Sequence, residues 1–415
     1  MRKIDNGVIN RVSLHWVAIC LATTAFFAVT LWLNLSVRTE QQFSLLAQSF
    51  LHGRLDLIEP PNNGGWDDTT PVGDRHYWPL GPLPAVLLIP FQFLAGLFGK
   101  TFFQGYLQIA LVIAVFALAF RIGRRIGYDQ TDSFYIAFGF CFATAFLGVA
   151  VWPWSWYFSQ VITCAVLLVA ILEITGKARP LVIGSLFAIC LATRATAALG
   201  LLWFIGETLS SANRSLQQKL RAIGMAILPG AIVLLLLLIY NYARFGNPFD
   251  QGYAGQIIPE AAAKARSIGL FSLQHVPANL YALFLASPVP IFRADGAPVL
   301  TFPFFAANPW GMSLFVTAPW LVVVFFGLHY RDARSRWIFL TVCVIALPLL
   351  FYYAVGYRQF GYRYSLDFLP LLLYLLFRNY HAQRGALSLA LKLVFLVSAL
   401  WNLHLFAGHY LWHLT

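Results

Sequence analysis

The sequence predicts an all-α polytopic membrane protein of the helical-bundle type, with about 10–12 transmembrane helices by the length rule. Composition is the first observation behind this prediction. Of 415 residues, 60% are hydrophobic and only 11% are charged, which is too little polar material to cover a water-soluble globule of this size. Second, apolar runs recur at close to the roughly 20 residues that a helix needs to cross a bilayer. Third, no run alternates with the period of a lipid-facing barrel strand.

Eight mainly apolar runs follow one another along the chain, and each is predicted to be a membrane helix. They are Trp16–Leu35, Phe102–Phe120, Phe134–Val151, Trp156–Leu172, Ile223–Tyr242, Met312–His329, Trp337–Val355 and Ala386–Ala407. Two further runs, Leu181–Ile205 and Tyr364–Phe377, contain charged residues. The five cysteines lie in apolar runs without metal-ligand or redox spacing, so neither a disulfide framework nor a zinc site is indicated.

Short basic clusters between the runs set the orientation, because Lys and Arg concentrate in cytoplasmic loops. Such clusters precede the first run and recur at Arg121–Arg125, Lys177–Arg179, Arg214–Arg221, Arg331–Arg336 and Arg378–Arg384. We therefore place the N-terminus and these clusters in the cytoplasm. The net charge of +12 is spread over these loops instead of one face, which argues against nucleic-acid binding. The first run is too long for a cleaved signal peptide and is expected to stay as an anchor.

Parity leaves room for one crossing between the first run and the cluster at Arg121–Arg125. We assign that crossing to Phe102–Phe120. The preceding proline-rich segment, Pro79–Phe98, is predicted to lie at the outer face or to dip into it. Leu181–Ile205 has basic clusters at both ends, so we predict a pair of short helices that turn near Thr193–Ala197.

The chain is predicted to form a single integral membrane domain over residues 1–415, without a separate soluble domain. Its first external loop covers residues 36–100, and the second covers residues 243–311. Apolar residues over 40–52 recur with i, i+3, i+4 spacing, which predicts an amphipathic helix lying in the membrane interface.

A series of short stretches resembles bacterial GT-C glycosyltransferases, similar to the protein mannosyltransferase and aminoarabinose transferase branch. The resemblance rests on a carboxylate soon after the first helix, then "HGRLDL", "GDRHYWPLGPLPAVLLIP", "LATRATAALGL", "YNYARFGNPFDQGY" and "QFGYRYSLDFLP". It implies a GT-C fold in the cell (inner) membrane and transfer of a sugar from a polyprenyl-phosphate donor. The acceptor would be a lipid, glycan or protein on the extracytoplasmic face. A nucleotide-sugar donor is disfavoured because the sequence has no Gly-rich phosphate loop and no DxD pair.

The first external loop holds the candidates for the catalytic base that takes the acceptor's proton. Similar enzymes carry an aspartate soon after the first helix, and Glu40 occupies that place here. Asp74 is the second candidate. Asp67 and Asp68, in a Gly-flanked turn, are predicted to position the acceptor or a metal ion, so a divalent metal stays open as the cofactor. The alternative for each acid is an ordinary solvated loop residue.

Three arginines are candidates for binding the donor phosphate. Arg194 interrupts an apolar run, where an arginine costs about 2.5–3.5 kcal/mol on insertion scales. Its position matches a basic residue that meets the donor phosphate in similar transferases, and the alternative is a structural ion pair with an acid such as Asp367. Arg358 and Arg363 flank the last external turn, and two planar guanidinium groups suit a phosphate leaving group.

Further substrate-binding candidates are His76, Tyr77, Tyr364, Arg244 and Asp250. The last two flank a Gly-Asn-Pro turn, for which a purely structural role is the alternative. Aromatic residues at membrane ends more often form an interfacial belt than a sugar platform.

A transporter or flippase of lipid-linked glycans is the alternative function, since acids and arginines also line transport paths. The sequence shows no internal repeat and few charges inside its apolar runs, which favours the transferase. The expected partners are therefore the lipid-phosphate-sugar donor, the acceptor and membrane lipids, and no nucleic acid.

Overall fold

The computed structural model describes residues 14–62, 64–325 and 332–410. The helices are α1 (Leu14–Ser36), α2 (Gln42–Leu51), α3 (Leu83–Gly96), α4 (Gln104–Ile126), α5 (Gln130–Phe142), α6 (Phe146–Val151), α7 (Ser155–Ile174), α8 (Pro180–Leu191), α9 (Ala195–Ala198), α10 (Leu201–Ser210), α11 (Leu216–Phe245), α12 (Glu260–Ser267), α13 (Val276–Phe284), α14 (Leu314–Thr317), α15 (Trp320–Phe325), α16 (Ala333–Phe351), α17 (Leu369–Arg384) and α18 (Leu389–Tyr410). The strands are β1 (Thr70–Val72), β2 (Arg75–Tyr77), β3 (Val289–Phe292) and β4 (Leu300–Ala306).

Six of the described helices are long and apolar enough to cross a membrane, namely α1, α4, α7, α11, α16 and α18. Shorter helices in series make the other passages, such as α5 followed by α6 and α8 followed by α9 and α10. The predicted all-helical, polytopic fold is confirmed. The run Met312–His329 is seen as α14 and α15, and its last residues lie outside the described part of the chain, as do the N-terminal basic cluster and Arg331.

The helix connections gather at the two ends of the bundle. We call one the loop end, because it carries residues 37–103, 246–312 and 352–368, and the other the opposite end. The turns at the opposite end contact one another, as where Arg125 Nη1 donates to the Thr175 carbonyl at 3.2 Å. The predicted basic clusters of the described chain are at this opposite end.

The proline-rich segment does not cross the bundle. α3 begins beside the break between α8 and α9, where the Leu83 N–H donates to the Ala192 carbonyl at 3.2 Å. In the last turns of α3, Gln92 bonds both main-chain groups of Phe102, just before α4, at 2.8 and 2.9 Å. Both ends of α3 therefore lie at the loop end, as the sequence predicted.

The charged run Leu181–Ile205 is two helical passages. α8 ends at Leu191 and α9 begins at Ala195, so the chain breaks over residues 192–194 at the loop end. The α10 end of the pair lies at the opposite end, where Glu207 forms an ion pair with Arg334 at 2.6 Å. The predicted pair of short helices is confirmed.

α2 is a helix, as predicted, but its apolar face does not lie in the membrane interface. Phe43, Leu46 and Ala47 are fully buried within the protein, and Phe43 packs edge-to-face on Trp78 with ring centroids 5.7 Å apart. α3 packs against α2 and exposes its own apolar residues instead. The amphipathic pattern was correctly identified, and the partner of its apolar face is protein because α3 covers it.

Two antiparallel hairpins in the loops were not predicted. One pairs β1 with β2, and the other pairs β3 with β4. The strands of the first hairpin have three residues each, which is too short for a polar–apolar alternation to be recognised in the sequence.

α7 is at the centre of the bundle, and most of its residues are buried against α4, α8 and α17. A helix that is apolar on all sides is expected in such a position. α8 and α11 approach so closely that a Cβ atom at Gly184 would lie 2.1 Å from the Ala226 carbonyl oxygen. Only glycine permits this backbone contact.

The two-ended arrangement predicts a labelling pattern for single cysteines in a background without native cysteines. Gln130→Cys and Ala212→Cys are at the opposite end, and Glu59→Cys is at the loop end; Gln130, Ala212 and Glu59 are all exposed. With the cytoplasmic orientation of the basic clusters, only Glu59→Cys should react in intact cells with a membrane-impermeant maleimide. All three should react after permeabilisation, and reaction of Gln130→Cys from outside would contradict the topology.

Candidate functional site

A cavity of about 1040 Å³ opens at the loop end of the bundle. Much of its wall comes from three regions that are distant in sequence: the first loop, the segment before and including α12, and residues 352–364 before α17. The start of α7, the break between α8 and α9, the chain after α12 and Trp310 also contribute to the lining. Carboxylates of the first loop line it together with arginines of the last turn. The cavity therefore contains acidic and basic side chains, and it also has an apolar section formed by α12 and the chain after it.

Glu40 lines the cavity at the end of a rigidly held linker. Its main-chain carbonyl accepts from Gln104 Nε2 at 3.1 Å, from the Ser155 N–H at 3.0 Å and from Ser155 Oγ at 2.9 Å. Its carboxylate accepts from Gln42 Nε2 at 2.7 Å, and its N–H donates to Asn62 Oδ1 at 3.1 Å. The carboxylate is therefore positioned by the protein before any substrate arrives.

Burial raises the pKa of the Glu40 carboxyl above its ordinary value. Hydrogen bonds from Asn62 and Gln42 and the charge of Arg358 act in the opposite direction, and their effect is smaller. A buried carboxylate with a raised pKa is a stronger base than a solvated one.

Asp68 also lines the cavity, on the segment that pairs with the chain before α12. Its N–H donates to the Ile257 carbonyl at 2.7 Å, and its carbonyl accepts from Gln256 Nε2 at 2.9 Å. Burial, and next the negative charge of Glu40, raise the pKa of Asp68 to about 7. Its neighbour Asp67 lines the same cavity but is exposed.

Arg363 forms the basic side of the cavity. Its guanidinium carbon lies 5.9, 5.5 and 5.3 Å from the ring centroids of Trp156, Tyr157 and Tyr364. Two of its nitrogens, Nε and Nη1, are buried without a hydrogen-bond partner, and no described carboxylate lies within ion-pair distance. Because buried charged donors are nearly always partnered in proteins, this side chain suits a bound anion.

Arg358 also lines the cavity, and it too has no ion-pair partner among the described residues. Its carbonyl accepts a hydrogen bond from the Tyr157 hydroxyl, and the carbonyl of Arg363 accepts from Gln160 Nε2 at 2.9 Å. The first turns of α7 therefore hold the main chain at both arginines.

Backbone strain concentrates at this cavity. Among the described residues other than glycine, five have positive φ, and three of them line the cavity: Glu40 (58°), Asp68 (62°) and Arg358 (49°). The left-handed conformation is unfavourable for side chains such as Glu and Arg. Strain of this kind persists where surrounding contacts hold it, typically at functional sites.

Arg194 lines the cavity but is engaged in an ion pair with Asp367. Its Nε and Nη2 donate to the two carboxylate oxygens at 2.5 and 3.0 Å, and the Thr196 hydroxyl also donates to this carboxylate. Asp367 is fully buried and belongs to the short 3₁₀ turn Arg363–Asp367. The structural pair left open by the sequence is thus present, and it connects the α8–α9 break to the turn that carries Arg363.

Of the five further substrate-binding candidates, the structure brings Tyr364 and Asp250 to the cavity. Asp250 accepts the Gly252 N–H at 2.7 Å, which closes a local turn. Arg244 lies outside the cavity lining, buried between the Trp78 carbonyl at 2.8 Å and Asn241 Oδ1 at 2.7 Å. Its role in the fold is to fasten the end of α11 to the first loop.

The β1–β2 hairpin does not bring its residues to the cavity. Asp74 is exposed in the turn of this hairpin. His76 stacks on Trp66 with ring centroids 4.1 Å apart, and Tyr77 is buried against Phe245. None of these three side chains lines the cavity that Glu40 and Asp68 line, so Asp74 stays the second candidate for the base.

Sequence reasoning missed the contribution of α7. Trp156, Tyr157 and Gln160 surround or hold the two cavity arginines, and Gln256 holds Asp68. The stretch "PWSWYFSQ" was a usable signal, since it puts polar and aromatic residues at the loop end of an otherwise apolar run. Within the described residues, no group of three or more His, Cys, Asp or Glu side chains is arranged to hold a metal ion.

Comparison with known proteins gives little to place beside this geometry. No protein-family model matches the chain. No curated protein matches it either. Among solved structures, the chain is similar to the crystal structure of the Archaeoglobus fulgidus oligosaccharyltransferase in the apo form, with 14% sequence identity and a TM-score of 0.48. The match covers 96% of this chain and 56% of that one, so this chain spans little more than half of that protein's length. The function is therefore argued from the residues of the cavity.

The Arg194–Asp367 pair predicts a double-mutant cycle. Asp367→Leu or Arg194→Met alone leaves one buried charge uncompensated, which should cost about 3–5 kcal/mol of unfolding free energy. The double variant should recover most of this loss, because an apolar pair of similar volume is often neutral. Thermal unfolding in detergent measures the effect.

The matched control is the ion pair of Arg378 with Asp332 at the opposite end, which is more exposed. Asp332→Leu should cost no more than about 1 kcal/mol. Equal losses at Asp367 and Asp332 would show that the buried pair has no special structural importance.

Proposed function

We propose that the chain is a membrane glycosyltransferase that moves a sugar from a polyprenyl-phosphate donor to a hydroxyl or amine acceptor. The observation that carries this proposal is that buried Glu40 and partly buried Asp68 share one cavity with two arginines that have no ion-pair partner among the described residues. A carboxylate for the acceptor's proton and cations for a leaving phosphate are what glycosyl transfer from a lipid phosphate requires. The resemblance of the sequence motifs to GT-C glycosyltransferases supports the same reaction.

The donor phosphate is assigned to Arg363 and Arg358. Nε and Nη1 of Arg363 are buried and make no hydrogen bond within the described part of the chain, so these two donors are available to phosphate oxygens. The charge of Arg194 is balanced by Asp367, so Arg194 has a smaller part in phosphate binding. It offers the phosphate only the donors that Asp367 does not use, and its ion pair holds the turn that carries Arg363.

The apolar section of the cavity suits the prenyl chain. Ile258, Ala261 and Ala265 line it from the α12 side, and Leu270 and Phe271 line it from the following segment. Their small or apolar side chains bury hydrocarbon without leaving polar groups unpaired. A donor with a lipid tail can thus place its phosphate at the arginines while its tail lies along this section.

The base is assigned to Glu40. The acceptor oxygen or nitrogen attacks the sugar carbon, the bond from that carbon to the phosphate oxygen breaks, and the acceptor's proton passes to the Glu40 carboxylate. The electron pair of the broken bond leaves with the phosphate, where Arg363 and Arg358 stabilise the negative charge. Because attack and departure occur on opposite faces, the product has inverted configuration.

Asp68 is assigned to orienting the acceptor beside Glu40. Its carboxylate lies in the same cavity, where burial first and the charge of Glu40 second raise the pKa of Asp68. When ionised it accepts a second hydrogen bond from the acceptor, which aligns the nucleophile with the sugar carbon. Asp67, exposed at the cavity wall, is left as a solvated or acceptor-contacting residue.

We place the reaction on the extracytoplasmic face of the cell membrane, because the cavity is at the end opposite to the basic clusters. A reconstituted-vesicle assay separates this proposal from the flippase alternative. Incorporation of labelled sugar into an acceptor with release of polyprenyl phosphate supports a transferase. Movement of intact carrier between leaflets, without a new glycosidic bond, would contradict it.

The assignment of the acids predicts different results for their amide variants. Glu40→Gln should lose about 10²–10⁴-fold in turnover because the base is gone while size and hydrogen bonding are kept. Glu59→Gln, an exposed acid of the same loop, is the matched control and should transfer normally. Asp74→Asn tests the alternative base from the sequence, and loss of activity there with an active Glu40→Gln would overturn the assignment.

The raised pKa of Asp68 predicts a pH profile. Transfer by the unaltered protein should fall as the pH drops through about 7, since Asp68 then takes up a proton and loses its acceptor contact. Asp68→Asn should be slower but should move this acid limb to lower pH, because the titrating group and its charge beside Glu40 are both removed. An unchanged limb in Asp68→Asn would show that another group controls it.

The phosphate site predicts graded effects at Arg363. Arg363→Ala should reduce turnover about 10²–10³-fold by removing donors that strengthen as charge builds on the leaving phosphate. Arg363→Lys should recover only part, because a lysine restores charge without the planar fork. Arg336→Ala, an exposed arginine at the opposite end, is the control. Near-normal donor affinity and turnover in Arg363→Ala would place the phosphate elsewhere.

A further inference from the structure

The β3–β4 hairpin exposes apolar side chains on the side that faces away from the protein. Along β4, Leu300 and Phe304 are exposed, whereas Pro303 and Ala306 are buried. Phe302 is exposed over much of its surface, and its ring also contacts that of His404 in α18, with centroids 6.4 Å apart. On β3, Val289 and Phe292 are exposed as well. A hairpin with one face in water normally alternates apolar-in with polar-out. Here both faces are apolar, so the outward face requires an apolar partner.

The inward face of the hairpin rests on α18. The Pro303 carbonyl lies 2.9 Å from His404 Nε2, and the rings of Phe305 and Trp401 are 6.0 Å apart. This contact fixes where the hairpin lies along a helix that is long and apolar enough to span a membrane.

The outward side of α18 leads directly to the hairpin. Leu393, Val397 and Leu400 are exposed, and their spacing of four and three residues places them on one stripe. His404 is the next position on that stripe, and it is the residue that contacts Pro303. The exposed apolar surface of a spanning helix faces lipid. The outward face of the hairpin is therefore a continuation of the lipid-facing surface.

The depth of the hairpin is limited by its backbone. An open sheet edge does not occur in the hydrocarbon core, because unpaired N–H and C=O groups cannot be satisfied there. The tip is polar, with Arg293 and Asp295 exposed and paired at 2.6 Å. Apolar strands and a charged tip together match the boundary between acyl chains and headgroups, as do the neighbouring Trp401 and His404.

We propose that the β3–β4 hairpin is a membrane-contact arm whose partner is the lipid bilayer at the loop-end interface. Residues 307–309 connect the arm to Trp310, which lines the cavity. Because the arm is joined to this cavity residue, an arm that lies at the level of the lipid headgroups holds this side of the cavity at the membrane surface. The inference does not rest on the chemistry proposed for the cavity.

Spin-label accessibility in vesicles of phosphatidylethanolamine and phosphatidylglycerol tests the arm. Single cysteines replace Leu300, Phe292 or Ala294 in the full chain without native cysteines, and each carries a nitroxide. Val397→Cys is the lipid-facing reference, and Asp74→Cys, exposed in the other hairpin, is the water-facing reference. Collision rates with oxygen and with a neutral nickel chelate are measured for each label.

Labels at Leu300→Cys and Phe292→Cys should collide with the nickel chelate several-fold less than labels at Ala294→Cys and Asp74→Cys, while colliding with oxygen as readily as Val397→Cys. High nickel collision at both strand positions would show a water-facing hairpin and overturn the proposal. Low collision with both reagents would show that a protein surface, such as a second copy of the chain, covers this face, and would also overturn it. Two strand positions are used so that a local distortion at one cannot decide the result.

Discussion

The arrangement of the site depends on satisfying main-chain groups where helices stop inside an apolar bundle. Gln104 bonds the carbonyls of Glu40 and Pro153, and Gln108 bonds those of Val149, Ala150 and Trp152. Buried carbonyls without such partners would cost several kcal/mol each in lipid-like surroundings. Two amide side chains on one face of α4 thus hold the linker that follows α1 against the linker that precedes α7. Glu40 has its place and its strained backbone from this contact.

A second set of side chains performs the same task on the basic side of the cavity. Tyr157 and Gln160 of α7 bond the carbonyls of Arg358 and Arg363, and the Arg194–Asp367 pair holds the turn that carries Arg363. Most residues of α7 are buried, so the helix is held firmly in the bundle, and its hydrogen bonds fix the main chain at both arginines. The start of α7 therefore holds both walls of the cavity: Ser155 bonds the Glu40 carbonyl together with Gln104 of α4, and Tyr157 and Gln160 bond the carbonyls of the two arginines.

Charge is distributed unequally between the arginines. Arg194 forms an ion pair with Asp367, whereas Arg358 and Arg363 have no ion-pair partner in the described part of the chain. Leaving charged donors unpaired in a half-buried site lowers stability. Such a cost is typical of sites where binding a ligand of opposite charge restores the balance. The membrane-contact arm would add to this arrangement by holding one side of the cavity at the level of the membrane surface.

The sequence by itself determined the class of fold, which residues lie at each end of the bundle, and the break of Leu181–Ile205. Hydropathy and basic clusters can be recognised locally in a sequence, and a bilayer restricts apolar runs to spanning helices and basic clusters to one side. It also identified Glu40, Asp68, Arg358 and Arg363 as candidates. Only the tertiary structure decided which candidates share a cavity, since distance between loops is not encoded by spacing along the chain. It moved Asp74 to an exposed hairpin turn, paired Arg194 with Asp367 and covered α2 with α3. Each of these outcomes depends on long-range packing that satisfies a buried charge, a backbone group or an apolar face with a partner distant in sequence.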